Sequence, residues 1–143
     1  MKRSQLLIKA LFTFLVAVPL PSVAELRLDV IDSMDFGTLS IENGTCTLKN
    51  NGSLVATNGQ TCLGSGSIAK FTAVGEPNSG IVISAFQSAE SHGITLVPEL
   101  ITSSSKTLNG KGIATIKVAG SLVFNQASSG SLLLNYTLSI NYE

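Results

Sequence analysis

The sequence has few of the residues on which most catalytic and binding sites depend. Its 143 residues include no Trp, two Tyr, two Cys and one His, and only 13% are charged. One His cannot build a metal site from several histidines, and a Ser-His-Asp triad would have to use His92. A formal net charge of 0 lacks the basic excess that non-specific nucleic-acid binding requires.

The acidic residues suggest no catalytic or metal chemistry either. Asp29, Asp32 and Asp35 are spaced by three, whereas a calcium loop places its acidic ligands two apart. No pair of carboxylates stands out as an acid and a base, and the absence of Trp leaves little aromatic surface for stacking on a sugar. We therefore predict no enzymatic activity, no metal and no cofactor.

Residues 1–24 have the layout of a secretory signal peptide. Lys2, Arg3 and Lys9 charge its start. The apolar run that follows, 10–20, is about half the roughly 20 residues that a membrane span needs. Ser22-Val23-Ala24 then supplies the small residues that precede a cleavage site. We predict cleavage after Ala24, and the alternative is an N-terminal anchor that stays attached.

The predicted mature chain, 25–143, has 119 residues, enough for one domain. It carries six basic and nine acidic residues, a net charge of −3. It contains no further apolar run long enough to span a bilayer. We expect an exported protein without a membrane span, located at the cell surface or outside the cell.

The two cysteines fit an exported chain. Cys46 and Cys62 both lie in the predicted mature part, and an even count there favours one disulfide. It would close a loop of about 16 residues and contribute roughly 3 kcal/mol in the chain-entropy model. A metal pair and a redox pair are the alternatives, but the spacing is not C-x-x-C and no companion ligand is evident.

Apolar and polar residues alternate with a period of two along most of the mature chain, which is typical of half-buried strands. The predicted strands are 26–30, 36–41, 45–49, 53–57, 68–74, 81–86, 94–97, 113–124 and 132–142. Asn50-Asn51-Gly52 predicts a type I′ hairpin. Many short strands separated by turn residues indicate an all-β sandwich or barrel.

The last strand carries the strongest pattern. Its apolar positions alternate without a break after Gly130, namely Leu132, Leu134, Tyr136, Leu138, Ile140 and Tyr142. This end resembles the subunits of bacterial chaperone–usher pili, which have a glycine fourteen residues from the end, alternating apolar residues and a penultimate aromatic. Gly130 and Tyr142 occupy those two positions.

Two further segments extend the resemblance over most of residues 26–142. Asp35-Phe36-Gly37-Thr38-Leu39 is similar to the D-F-G-T segment of archaic pilins and spore-coat-U-like domains. The segments 71–77 and 135–142 resemble a related, functionally unnamed domain family of exported bacterial proteins.

The resemblance implies an immunoglobulin-like β-sandwich, residues 36–143, that lacks its last strand and is completed by donor-strand addition. Residues 25–35 would be the N-terminal extension, with Leu26, Leu28 and Val30 as donor residues inserted into a neighbouring subunit. The strand from Gly130 to Tyr142 would form one wall of the acceptor groove and the chaperone-binding edge. As alternatives, residues 26–30 are an ordinary first strand and residues 132–142 an ordinary last strand of a complete sandwich.

The resemblance therefore predicts a structural subunit of a bacterial surface fibre, a fimbria or pilus, in adhesion or biofilm formation. Its partners would be neighbouring copies or related subunits, a periplasmic chaperone and an outer-membrane usher. The alternative is a complete, monomeric secreted β-sandwich that acts as a surface or matrix binding module.

Overall fold

The computed structural model describes residues 22–88 and 90–143, so most of the predicted signal peptide lies outside the described residues. The described residues form eleven strands, all paired antiparallel, and no helix. The strands are β1 Arg27–Asp32, β2 Thr38–Leu39, β3 Gly44–Leu48, β4 Leu54–Thr57, β5 Cys62–Leu63, β6 Ala69–Val74, β7 Gly80–Phe86, β8 Ile94–Leu100, β9 Ser105–Thr107, β10 Ile113–Phe124 and β11 Thr137–Tyr142. The predicted all-β class is confirmed.

A six-stranded sheet is built around β10, the longest strand. Val118 in β10 pairs with both Ala69 of β6 and Leu100 of β8, so these two strands lie on opposite edges of β10. β3 pairs with the second half of β10 on the same edge as β6, and β4 and β1 extend the sheet outward from β3 and β6. The order β1-β6-β10-β8 therefore runs across this sheet, and the β3–β4 hairpin is added beside it.

A second, three-stranded sheet packs on the first half of β10. Its order is β11-β7-β9, and β2 and β5 form a separate two-stranded ribbon. The alternating residues of β6, β7 and β10 meet between the two sheets in a cluster that we call core A. Core A consists of Ala69, Phe71, Ala73, Ile81, Ile83, Leu108, Ala114, Ile116 and Val118. The two packed sheets make the fold a β-sandwich.

A second cluster, core B, lies on the other half of the six-stranded sheet. It consists of Phe36, Cys46, Leu48, Ile94, Leu96, Leu122 and Phe124. These residues come mainly from β3, β8 and β10, and no strand of the three-stranded sheet contributes a buried residue to core B. Partly buried side chains from irregular segments, including Met34 and Leu134, pack against it instead.

The predicted hairpin at residues 50–52 is confirmed, but its predicted turn type is wrong. β3 pairs with β4 from Thr45↔Thr57 to Leu48↔Leu54. Gly52 alone has a left-handed φ, of 83°, and its N–H donates to the Lys49 carbonyl oxygen. A type I′ turn needs two such residues, whereas this loop has a type I turn followed by a left-handed glycine. The Asn51 side chain accepts hydrogen bonds from the Ser53 N–H and hydroxyl, and these bonds also stabilise the loop.

The predicted disulfide joins Cys46 and Cys62, so the metal-pair and redox-pair alternatives are set aside. Cys46 is fully buried in core B, and the bond ties the short β5 to it. A disulfide of this kind is compatible with an exported protein. Among the residues that the structure describes, no helix is long and apolar enough to cross a membrane.

Candidate functional site

An apolar groove with a volume of about 640 Å³ lies over core B, where the three-stranded sheet does not extend. β1 and the residues that follow it line the groove, together with residues 128–136 and Leu138 near the start of β11. Four residues of core B from two strands reach its floor, namely Ile94, Leu96, Leu122 and Phe124. We refer to this cavity as the groove.

The wall formed by residues 128–136 has no regular secondary structure. Residues 125–136 form no strand, and pairing with β7 begins at Thr137, opposite Phe86. Leu133 is 85% exposed, although it lies in one of the most apolar stretches of the chain. The alternation predicted a strand from 132 to 142, and the structure forms only its second half. The first half has no strand beside it, because β7 ends at Phe86.

β11 is the edge strand of the three-stranded sheet. It pairs with β7 from Thr137↔Phe86 to Tyr142↔Ile81, and its other edge has no strand partner among the described residues. An unpaired edge presents backbone N–H and C=O groups that another strand can bind. The groove lies beside the start of this strand, since Leu138 is one of its lining residues. The geometry suits an extended peptide, which would find backbone partners next to apolar pockets.

Of the predicted donor residues, Leu28 and Val30 lie in β1 and Leu26 immediately precedes it. β1 pairs with β6 of the same chain from Arg27↔Val74 to Asp32↔Lys70. In the single chain, residues 27–32 thus form the first strand of their own sandwich, which is the alternative to a donor strand. Leu26 and Leu28 pack against core A, whereas Val30 is 63% exposed. Leu28 and Val30 both line the groove. Their donor role in a neighbouring subunit stays a prediction.

The predicted groove-wall residues divide into two groups. Gly130, Leu132, Leu134, Tyr136 and Leu138 line the groove, and so do the intervening Ser131, Leu133 and Asn135, which the alternation placed on the other face. Ile140 and Tyr142 lie farther along β11, pack against core A and do not line the groove. The groove therefore follows the first part of the predicted strand, and the second part belongs to the closed sandwich.

Sequence reasoning missed the floor of the groove. Ile94, Leu96, Leu122 and Phe124 belong to alternating segments that the sequence predicted as strands. The alternation identified their buried face, but it carried no signal for what covers that face. Phe36 also lines the groove, and the sequence marked it only through its resemblance to the D-F-G-T segment.

Tyr136 is the most unusual polar group in the groove. It packs against both cores, and its hydroxyl is buried without a hydrogen-bond partner among the described residues. Burial raises the pKa of this hydroxyl above its usual value, because the ionised form loses its hydration. A buried unpaired hydroxyl costs about 1–3 kcal/mol relative to a paired one.

We therefore expect Tyr136→Phe to leave the stability unchanged or to raise it, because it removes an unpaired polar atom and keeps the ring. The free energy of unfolding in urea measures this effect, and Tyr136→Leu is a control that loses the ring. A loss of more than about 1 kcal/mol in the Phe variant would show that the hydroxyl has a partner.

The other polar residues singled out in the sequence do not converge on a site. Asp29 pairs with Arg27, Asp32 pairs with Lys70, and the Asp35 carboxylate accepts a hydrogen bond from the Gly37 N–H. His92 lies exposed in a turn. Within the described residues no three His, Cys, Asp or Glu side chains come together in a way that could hold a metal.

Comparison of the chain with protein-family models, with curated proteins and with solved structures finds no match in any of the three.

Proposed function

We propose that this protein is a structural subunit of a bacterial surface fibre, assembled by exchange of a donor strand through a chaperone–usher pathway. The fibre would serve adhesion or biofilm formation. The observation that carries the proposal is the groove, an apolar cleft that meets the start of β11, whose outer edge has no strand partner among the described residues. In this proposal the chain is exported through the periplasm, where a chaperone strand fills the groove until a neighbouring copy or related subunit replaces it.

The strand order supports this proposal. An immunoglobulin constant-type sandwich has one sheet in the order A-B-E-D and a second in the order C-F-G. Lettered in chain order, the sheet order β1-β6-β10-β8 corresponds to A-B-E-D, and the pair β7–β11 corresponds to C-F. The strands β2, β3, β4, β5 and β9 are additions to this scheme. Strand G would pair with β11 on the edge that has no partner among the described residues.

The chemistry of the groove also supports a strand as its occupant. Side chains at positions i, i+2 and i+4 of a strand point to one face, so Leu26, Leu28 and Val30 of another copy would all face the floor. Burial of three such side chains contributes on the order of 5–8 kcal/mol before the cost of ordering the strand. Such a contact is head-to-tail and does not close, so it propagates a fibre.

A donor role requires β1 to leave its own sheet. Its pairing with β6 would break, and Leu26 and Leu28 would leave core A. An edge strand with a single neighbour is the element of a sheet that is most easily exchanged between copies. In this proposal the neighbour's groove supplies a new strand partner, β11, together with new apolar contacts.

The pairing of β1 with β6 within the single chain favours a second function. If β1 stays in its own sheet, the protein is a monomeric secreted β-sandwich that binds a surface or matrix component. The groove would then be the binding site of an extended or apolar ligand. This alternative predicts no fibre.

Negative-stain electron microscopy of the cells that produce this chain tests the proposal. We expect thin surface fibres that disappear when the gene is deleted and return when the full chain is supplied from a plasmid. Periplasmic extracts should contain the chain in both the wild-type and the complemented cells, as a control for export. An unchanged cell surface after deletion would contradict the fibre role and leave the monomeric binding module.

A further inference from the structure

The end of β11 is hydrogen-bonded to the start of the described chain. The Tyr142 hydroxyl donates to the Ala24 carbonyl oxygen, at 2.7 Å, and accepts from the Glu76 N–H, also at 2.7 Å. The Ala24 N–H in turn donates to Oε2 of Glu76, at 3.1 Å. A phenol and a carboxylate from distant parts of the sequence thus converge on the backbone of Ala24.

Packing and a nearby glycine position the Tyr142 hydroxyl. Tyr142 packs against core A through its ring, and Glu76 follows β6 in the connection to β7. Gly75 leaves room for the Tyr142 hydroxyl and for Leu26, because a Cβ at that position would clash with the hydroxyl and would lie 2.9 Å from Leu26 Cδ1. Arg27, the one cation in β1, is paired with Asp29 and does not neutralise Glu76.

Cleavage after Ala24 would remove both backbone groups that these side chains bind. It would also create a positively charged α-amino group on Glu25, the next residue. The Glu25 nitrogen is bonded to the Ala24 carbonyl carbon, so covalent geometry places it within about 5 Å of the Tyr142 hydroxyl oxygen. An ammonium group has three N–H donors, and the carboxylate and the phenol oxygen both have free lone pairs.

We propose that the Tyr142 hydroxyl and the Glu76 carboxylate bind the α-ammonium group of Glu25 after the signal peptide is removed. The ligand of this site is the chain's own new amino terminus. Its binding holds the start of β1 against the end of β11 in the processed single chain, in which β1 is still paired with β6. The inference depends on the predicted cleavage after Ala24 and not on the fibre role, so the two can fail separately.

The test compares the mature chain exported from cells with an otherwise identical form that is acetylated at its α-nitrogen. N-terminal sequencing first establishes the terminus, which we expect at Glu25. Acetylation removes the positive charge, so it should lower Tm by about 2 °C at low salt, as expected for one partly exposed ion pair. The difference should shrink in 1 M NaCl, because salt screens such pairs.

Two variants identify the partner of the amine. In Glu76→Gln, acetylation should change Tm by less than half as much as in the wild type, since the carboxylate charge is absent and only the Tyr142 hydroxyl remains as the proposed partner. In Glu99→Gln, an exposed carboxyl on β8, the full acetylation effect should remain. The change in Tm on acetylation is measured within each variant, so any general effect of the substitution on folding cancels. A terminus other than Glu25, or an equal acetylation effect in Glu76→Gln and wild type, would overturn the proposal.

Discussion

A second copy of residues 25–33, joined after Glu143 by a short Gly/Ser linker, is expected to raise Tm by about 10 °C and to keep the protein monomeric. The appended segment can lie in the groove as an added strand beside β11, while β1 stays paired with β6. A net gain of about 3 kcal/mol corresponds to this change in Tm for a domain of this size. Differential scanning calorimetry and size-exclusion chromatography measure the two effects.

The matched control carries the same linker and appended segment with serine in place of the copies of Leu26, Leu28 and Val30. It has the same length and backbone but no apolar side chains for the groove, so its Tm should equal that of the unmodified mature chain. Equal melting temperatures for the leucine- and serine-bearing fusions would exclude residues 25–33 as an occupant of the groove.

Substitution Val30→Asp is expected to abolish surface fibres while leaving the folded protein in the periplasm. Val30 is 63% exposed in the single chain and belongs to neither core, so a carboxylate there has little effect on the fold. In a neighbour's groove the same carboxylate would be buried without a partner, at a cost of several kcal/mol. Leu28 is a poorer choice, because it packs against core A and its replacement would destabilise the monomer.

Val55→Asp is the control for this experiment. Val55 is 41% exposed on β4 and does not line the groove. Electron microscopy should show fibres in the control and none in Val30→Asp, with equal amounts of both proteins in the periplasm. Normal fibres in the Val30→Asp cells would exclude β1 as the donor.

The central strand of the six-stranded sheet could be predicted from the sequence. The alternation from Ile113 to Phe124 gave β10 with its correct bounds, because this strand has partners on both edges along part of its length. β9 was missed, since Ser105-Lys106-Thr107 has no apolar alternation and is held by pairing with β7. The short β9 is thus determined by its neighbour and not by its own pattern.

The C-terminal segment shows why the candidate site was only partly predictable. Leu132 and Leu134 continue the alternation of β11, yet they lie outside the strand. Alternation states which face of a segment is apolar, but a strand also needs a hydrogen-bonding neighbour, and that depends on where β7 ends. The sequence therefore indicated an apolar segment here and could not reveal that it is irregular in the single chain, where residues of both alternating sets line the groove.

Amide hydrogen exchange of residues 132–136 in the fused chain most directly tests the claim that the groove accepts a strand from another molecule. The fusion with apolar side chains should slow exchange at alternate amides of this segment by at least about tenfold, because they gain strand hydrogen bonds. The serine control should exchange as fast as the unmodified mature chain. Equally fast exchange in both fusions would contradict the account, since the groove would then have accepted no strand.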